Sequence, residues 1–304
     1  MPTFDRTTIV RGPCKVTYDS QTFYSKAGVV LTTTNSTFDK ETDAYGIVSK
    51  SKTDFTIVVE FEPVGEIEAL AVLFPHGNTA MGASIYGSTD KNLVIVSVDK
   101  TYTILNAQIT QMPTISCSAT KTAFGSVQFT GLLKKDGDPQ NIEDYYTTTT
   151  GASIGTGFDP SLIVTAPYTA TLGALDPFLS QDGFEISFDL SLNPVVVDGV
   201  GTVDMSMGNL GCNISCIPTG IDQLDFDTFF DNLSAGEDLA VSALDISTTT
   251  VGGLNFDAAA VQVTELQRNF SASDNRLGTL TMSAKRTFSS GAPVALFTVA
   301  AVTA

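Results

Sequence analysis

The stretch TFYSKAGVVLTTTNSTFDKETDAYGIVSKSKTDFTIVVEFEPVG (residues 22–65) lies on PFLSQDGFEISFDLSLNPVVVDGVGTVDMSMGNLGCNISCIPTG (residues 177–220) when the chain is slid by 155 residues, with no gap. Ten of the 44 pairs are identical: Phe23/Phe178, Ser25/Ser180, Gly28/Gly183, Ser36/Ser191, Asp43/Asp198, Gly46/Gly201, Val48/Val203, Ser51/Ser206, Pro63/Pro218 and Gly65/Gly220. Ordinary residue usage would give roughly three. Other pairs swap like for like, such as Leu31/Ile186, Thr32/Ser187 and Val59/Ile214. The echo continues with small shifts. Pro13 to Thr17 falls on Pro167 to Thr171 at a slide of 154, and Ser118 to Gly125 falls on Ser271 to Gly278 at 153. One unit of about 150 residues, present twice, accounts for these matches. It divides the chain into residues 1–150 and 151–304.

A length of 304 residues fits two such units, each large enough to bury a core. Hydrophobic residues make up 42% of the chain, a folding composition rather than a disordered one. No apolar run reaches 18 residues, so the sequence predicts no transmembrane helix. The first residues, Met1-Pro2-Thr3-Phe4-Asp5-Arg6, lack a basic segment followed by an apolar one. That predicts no signal peptide and a protein that stays inside the cell that makes it. The formal net charge of −17 argues against neutralising nucleic-acid phosphates. It suits solubility, and equally a surface that nucleic acid must pass without sticking.

The cysteines are Cys14, Cys117, Cys212 and Cys216. Cys212 and Cys216 share one face of a strand-like run but stand roughly 13 Å apart along it, too far for a disulfide. Zinc pairs are closer and come with histidine support. Buried free thiols are the expectation.

Taken in order, Gly12–Tyr24 reads as a strand with a turn near Asp19-Ser20, and Ala27-Gly28 as a turn. Val29–Thr34 reads as a strand, Asn35–Tyr45 as a polar loop or hairpin tip, and Gly46–Lys52 as its return. Phe55–Phe61 is a strong strand, rich in β-branched and aromatic residues. Glu66–Phe74 carries helix formers and apolar residues at helical spacing, ended by Pro75. Strands follow at Leu93–Val98, Tyr102–Gln108, Met112–Ala119 and Ser126–Leu133. Thr147–Ser153 reads as a linker. In the second unit, strands fall at 162–173, 183–192, 195–205 and 210–217, then a helix counterpart at Ile221–Asp231. Further strands fall at 239–246, 260–271, 277–286 and 293–302. The fold class expected is mainly β: two tandem antiparallel sandwich or barrel units, each with one short α-helix.

Chemistry is hard to find. His76 is the only histidine. It sits in Pro75-His76-Gly77-Asn78, a surface turn by expectation, with no nucleophile elbow or Cys/His pairing around it. Gly199-Val200-Gly201 lacks the spacing of a dinucleotide loop and reads as a turn. Glu60/Glu62 and Asp225/Asp227 are chance pairs in an acid-dense chain rather than a glycosidase dyad. Asp136-Gly137-Asp138 is a solvated turn without the remaining ligands of a calcium loop. No cluster of basic and aromatic residues marks a nucleic-acid groove. The expectation is a protein without catalytic, cofactor-binding or metal residues, and not an enzyme.

The order within Gly12–Phe74 is strand, polar hairpin at Asn35–Ser51, strong strand Phe55–Phe61 and helix Glu66–Phe74, with more strands after. It resembles the major tail proteins of tailed bacteriophages, the tail-tube subunits. The resemblance is to an architecture, covers most of the chain in two copies, and has no diagnostic motif. It implies a structural virion protein, assembled in the host cytoplasm, whose rings stack into a tube for DNA ejection. Most such proteins carry one fold per chain and form hexamers. Two copies per chain would make a trimer a pseudo-hexamer. The implied partners are further copies of the chain and other tail proteins (tape measure, tail terminator and tail tip). DNA would pass without specific binding, and no membrane is involved. The hairpins Asn35–Ser51 and Leu190–Ser206 would reach the next ring, and acidic residues would face the lumen. The rival reading is a β-sandwich binding module, a carbohydrate-binding adhesin or virion decoration. It would need an exposed aromatic platform, and the chain has no tryptophan. Tyr145-Tyr146 is its only adjacent tyrosine pair, expected to pack at an interface or linker.

Overall fold

In a computed structural model of the chain, the residues described are 14–86, 90–97, 100–150, 164–175, 177–219, 226, 229, 238–271, 274–289 and 292–303. The first half holds β1 (Lys15–Tyr18), β2 (Gln21–Ser25), β3 (Val30–Thr42), β4 (Gly46–Phe61), β5 (Pro63–Val64), β6 (Leu93–Val96), β7 (Lys100–Ile104), β8 (Ala107–Gln111), β9 (Ile115–Ser118), β10 (Lys121–Phe124), β11 (Val127–Gly131) and β12 (Tyr146–Thr150). The second holds β13 (Thr169–Leu172), β14 (Phe178–Val197), β15 (Gly201–Thr219), β16 (Val241–Ser247), β17 (Leu254–Ser271), β18 (Asp274–Ala284), β19 (Phe288–Ser289), β20 (Ala292–Pro293) and β21 (Thr298–Ala301). The fold is mainly β, and every named strand pairing is antiparallel.

The long hairpins β3–β4 and β14–β15 share one register. Leu31 faces Val59 and Ile186 faces Ile214; Thr42 faces Gly46 and Val197 faces Gly201. The register slips after Ser36 and after Lys40 in the first hairpin, and after Ser191 and Val195 in the second. Each of these positions is displaced by 155 residues, bulges included. A bulge leaves one residue unpaired and bends the strand, so the two ribbons twist at matched points. The neighbouring strands keep the correspondence. Phe129 of β11 faces Val59, as Met282 of β18 faces Ile214.

The second half closes into a barrel. The circuit runs β13, β14, β15, β18, β17, β16 and back to β13, with every step hydrogen-bonded. Closure is possible because β17 runs unbroken from β16 to β18. In the first half the same path is cut between β7 and β8, where Asn106 takes a left-handed φ of 44°. It is cut again between β2 and β3. The result is two sheets, ordered β12-β7-β6-β1-β2-β5 and β3-β4-β11-β8. The two halves thus differ in closure.

One contiguous cluster of buried side chains runs through both halves. Phe23, Phe61 and Phe129 stack in series in the first, with Tyr18 edge-on to Phe129 at 4.8 Å. A second aromatic series crosses between halves: Phe124, Phe74, Phe188, Phe297 and Phe256 have successive ring centroids 6.1, 5.4, 4.7 and 6.0 Å apart. Fully burying such a ring is worth about 1.5–3 kcal/mol; Phe188 is only partly buried. The helix predicted at Glu66–Phe74 is one α-turn, α1 (Ile67–Leu70), followed by a 3₁₀ turn at Ala71–Leu73. It packs against β2 and also against β21 of the other half. Ile67, Leu70 and Leu73 face the core.

Several expectations are corrected. The polar stretch Asn35–Thr42 is strand, and only Asp43–Tyr45 turn. The ribbon is solvated on both faces, so its ladder needs no apolar alternation to form. Likewise 195–205 is not one strand, because the tip at Asp198–Val200 divides it. Tyr102–Gln108 is divided at Asn106. The linker reading fails for Thr147–Thr150, which pairs along Lys100–Thr103 as part of β12; a run of β-branched threonines suits an edge strand. The helix expected at Ile221–Asp231 lies, except for Phe226 and Phe229, outside the described residues.

Candidate functional site

Both hairpins turn on glycine. Gly46 and Gly201, at the start of the returning strands, have φ of 67° and 97°. Gly28 and Gly183, at the bends entering the hairpins, have φ of 102° and 91°. Side chains other than hydrogen are strained there. The serine three residues before each bend holds it: the Ser25 hydroxyl donates to the Gly28 carbonyl and the Ser180 hydroxyl to the Gly183 carbonyl. These identities in the repeat therefore have one backbone cause.

The second hairpin lies across the first half along a polar seam. At its near end β9 adds to β14, pairing Cys117 with Phe184, Ser116 with Glu185 and Ile115 with Ile186. At its far end the Asp54 carboxylate accepts from the Thr202 N–H at 3.1 Å and the Thr202 hydroxyl at 2.6 Å. Between them the loop after the helix runs beside β15. Gly82 N–H donates to the Met207 carbonyl, Met207 N–H to the Ala83 carbonyl, and Ile85 N–H to the Met205 carbonyl. Ser84 donates its hydroxyl to Asp204 at 2.8 Å. Thr122 on β10 donates to the Val164 carbonyl at 3.0 Å and meets the Tyr168 hydroxyl at 3.2 Å.

Among the described residues, the first hairpin has no such cover. Residues 41–50 are all exposed, with Tyr45 at 83%, whereas Gly201 and Met207 on the other returning strand are buried and 202–206 half-buried. Phe38, Ile47 and Val48 are exposed apolar side chains on the same ribbon. Val195, Val196 and Val197 near the second tip are exposed as well.

The residues weighed for chemistry are not brought together. His76 stands in a 3₁₀ turn as expected, but it is buried, at 3% exposure, and not on the surface. Its Nε2 lies 2.7 Å from the Ile109 carbonyl, so that nitrogen donates. Burial lowers its pKa, the carbonyl bond opposes this, and the Lys91 charge lowers it further. The turn closes on the other half: Leu296 N–H donates to the Gly77 carbonyl, and a Cβ on Gly77 would overlap the Phe297 carbonyl oxygen.

None of the four cysteines forms a disulfide. Cys117, Cys212 and Cys216 are buried, while Cys14 is only half-buried. Burial pushes the Cys117 and Cys216 thiols up to about 12, away from nucleophilic character. Among the described residues no three His, Cys, Asp or Glu side chains gather as a metal site. Glu60 accepts from the Ser126 hydroxyl and Glu62 pairs with Lys26. Asp225 and Asp227 lie outside the described residues. Asp136 turns with a φ of 59° beside Gly137. Tyr145 is buried edge-on to Phe55 and Tyr146 is half-buried in β12, so the pair forms no exposed platform.

One acid pair is not legible in the sequence. Asp245 on β16 faces Asp257 on β17. Burial, then a hydrogen bond and the charge of Asp245, raise the Asp257 pKa to about 6; Asn255 and Thr298 pull it back. The pair lines a shallow cavity with Thr171, Leu244, Phe297 and Thr298. No histidine or lysine lines it with them. The two acids come from different strands, and no local spacing marks them as partners.

No protein-family model matches this chain, and a search of the curated proteins finds no match.

Proposed function

We propose that the chain is a structural subunit of a tube, of the kind built by tailed-bacteriophage major tail proteins, and that its two halves are copies of one unit. The observation that carries this is the pair of long hairpins in one register, bulges matched, with the second docked across the first half. Two like units already meet head to tail within one chain. A heterologous contact of this kind generates a ring when its rotation closes. Three chains would supply six near-equivalent wedges. The residual differences, a closed second half and an open first, distinguish the two positions in such a ring.

Function then follows from shape and charge. Sheets joined edge to edge leave no free strand edges for unwanted pairing. The exposed Phe38 and Val196 on the hairpins supply apolar contacts to the next ring. With a net charge of −17, acids facing the lumen repel DNA phosphates, so a genome slides without binding. The purified protein is to be viewed by negative-stain electron microscopy alongside light scattering. Rings or hollow stacked tubes are the expected result. A uniform monomer that stays monomeric on concentration overturns the proposal.

A further inference from the structure

β3 ends its sheet: β4 lies on one side, and among the described residues no strand pairs with the other. The matching edge of β14 is occupied. Phe184, Glu185 and Ile186 pair there with Cys117, Ser116 and Ile115. Displaced by 155 residues, those acceptors are Val29, Val30 and Leu31. Burial follows the occupancy. Phe184 and Ile186 are 2% and 0% exposed, whereas Val29 and Leu31 are half-buried and Val30 is exposed.

The donor hairpin is also duplicated. β9 and β10 pair Ile115 with Phe124, Ser116 with Ala123, Cys117 with Thr122 and Ser118 with Lys121. The end of β17 and start of β18 pair Arg268 with Leu277, Asn269 with Arg276, Phe270 with Asn275 and Ser271 with Asp274. Every position is displaced by 153. The chain therefore carries a second donor at its far end and a second acceptor at its near end, and among the described residues no pairing joins them within the chain.

We propose that the end of β17, residues 268–270, of one chain adds to the β3 edge of a second copy, antiparallel, with Val29 opposite Phe270, Val30 opposite Asn269 and Leu31 opposite Arg268. Main-chain hydrogen bonds would supply the join, as in other strand additions. The returning strand supports the same partner independently. The segment 201–207 is covered by the first half of its own chain, and its largely exposed counterpart 46–52 would be covered by the second half of the neighbour. There Asn209, displaced by 155 from Asp54, would meet Gly46 and Ile47. This deepens the ring reading and rests on it for closure.

Two experiments test the contact. The first is a cysteine pair, Val30→Cys with Asn269→Cys, in a Cys14→Ser background, oxidised and run on a non-reducing gel. The expected result is a ladder that stops at a covalent trimer, with at least ten-fold less product from Val30→Cys with Ser271→Cys. Rings in the microscope without this cross-link overturn the interface and leave the ring reading standing. A ladder without end supports the pairing and overturns closure; neither rings nor cross-link overturns both. The second is Gly28→Ala. A Cβ at Gly183 would overlap the Cys117 carbonyl oxygen, whereas one at Gly28 meets nothing within 4 Å in the single chain. The variant is expected to keep the circular dichroism of a folded chain and to lose assembly at least ten-fold. Wild-type assembly by the folded variant overturns the proposed close approach.

Discussion

Asp54 and Thr202, 148 residues apart, form the bridge between the two hairpins: one carboxylate takes both the N–H and the hydroxyl of the threonine. It also accepts from the Phe55 N–H at 2.8 Å. Hydrogen bonds to a charged group contribute about 1.5–3 kcal/mol each, discounted here because both residues are partly exposed. Asp54→Ala is expected to lower unfolding stability by about 2 kcal/mol, and Thr202→Val by less. Urea titrations followed by circular dichroism check this. An unchanged midpoint for Asp54→Ala would show that the bridge does not hold the seam.

Gly183 is constrained twice, by its φ of 91° and by the Cys117 carbonyl beside it. Gly28 has the backbone constraint alone within a single chain. Gly183→Ala therefore costs about 3 kcal/mol, the sum of left-handed strain and overpacking, and Gly28→Ala about 1–2 kcal/mol. Equal losses in monomeric protein would contradict the difference in surroundings.

His76 is neutral in the fold, and its pKa lies below the ordinary 6.5. Unfolding lets it take a proton, so its stabilising contribution is present above pH 6.5 and fades as pH falls toward the folded value. His76→Gln is expected to flatten the stability profile between about pH 7 and that lower limit. Parallel profiles for the variant and the parent would remove His76 as the cause.

Asp257 behaves oppositely. Its folded pKa is raised from 3.8 to about 6, so the relative stabilisation is full below about pH 4 and lost as pH rises through 6. Asp257→Asn is expected to raise the urea midpoint at about pH 7.5 and to leave it unchanged at about pH 4. A shift of equal size at both pH values would mean that the fold does not raise the Asp257 pKa.

The hairpins are legible in the sequence because their glycines are. Gly28, Gly46, Gly183 and Gly201 sit where φ is positive, and their spacing survives in both halves of the sequence. The lengths of the ribbons are not legible, since Asn35–Thr42 is strand without an apolar face. Thr147 to Thr150 read as a linker for the same reason: they are polar, yet they complete a ladder with β7. The seam cannot be read at all. Nothing local links Asp54 to Thr202 or Cys117 to Phe184. The burial of His76 depends on Ile109, 33 residues away, while the polar composition of its own turn points outward.

The most direct measurement is the mass of a single ring, by native mass spectrometry or scanning transmission microscopy, set beside its lobes in averaged images. Three chains of 32.0 kDa showing six lobes is the expected result. Six chains per ring, or a monomer at every concentration, would contradict the reading of two ring units in one chain.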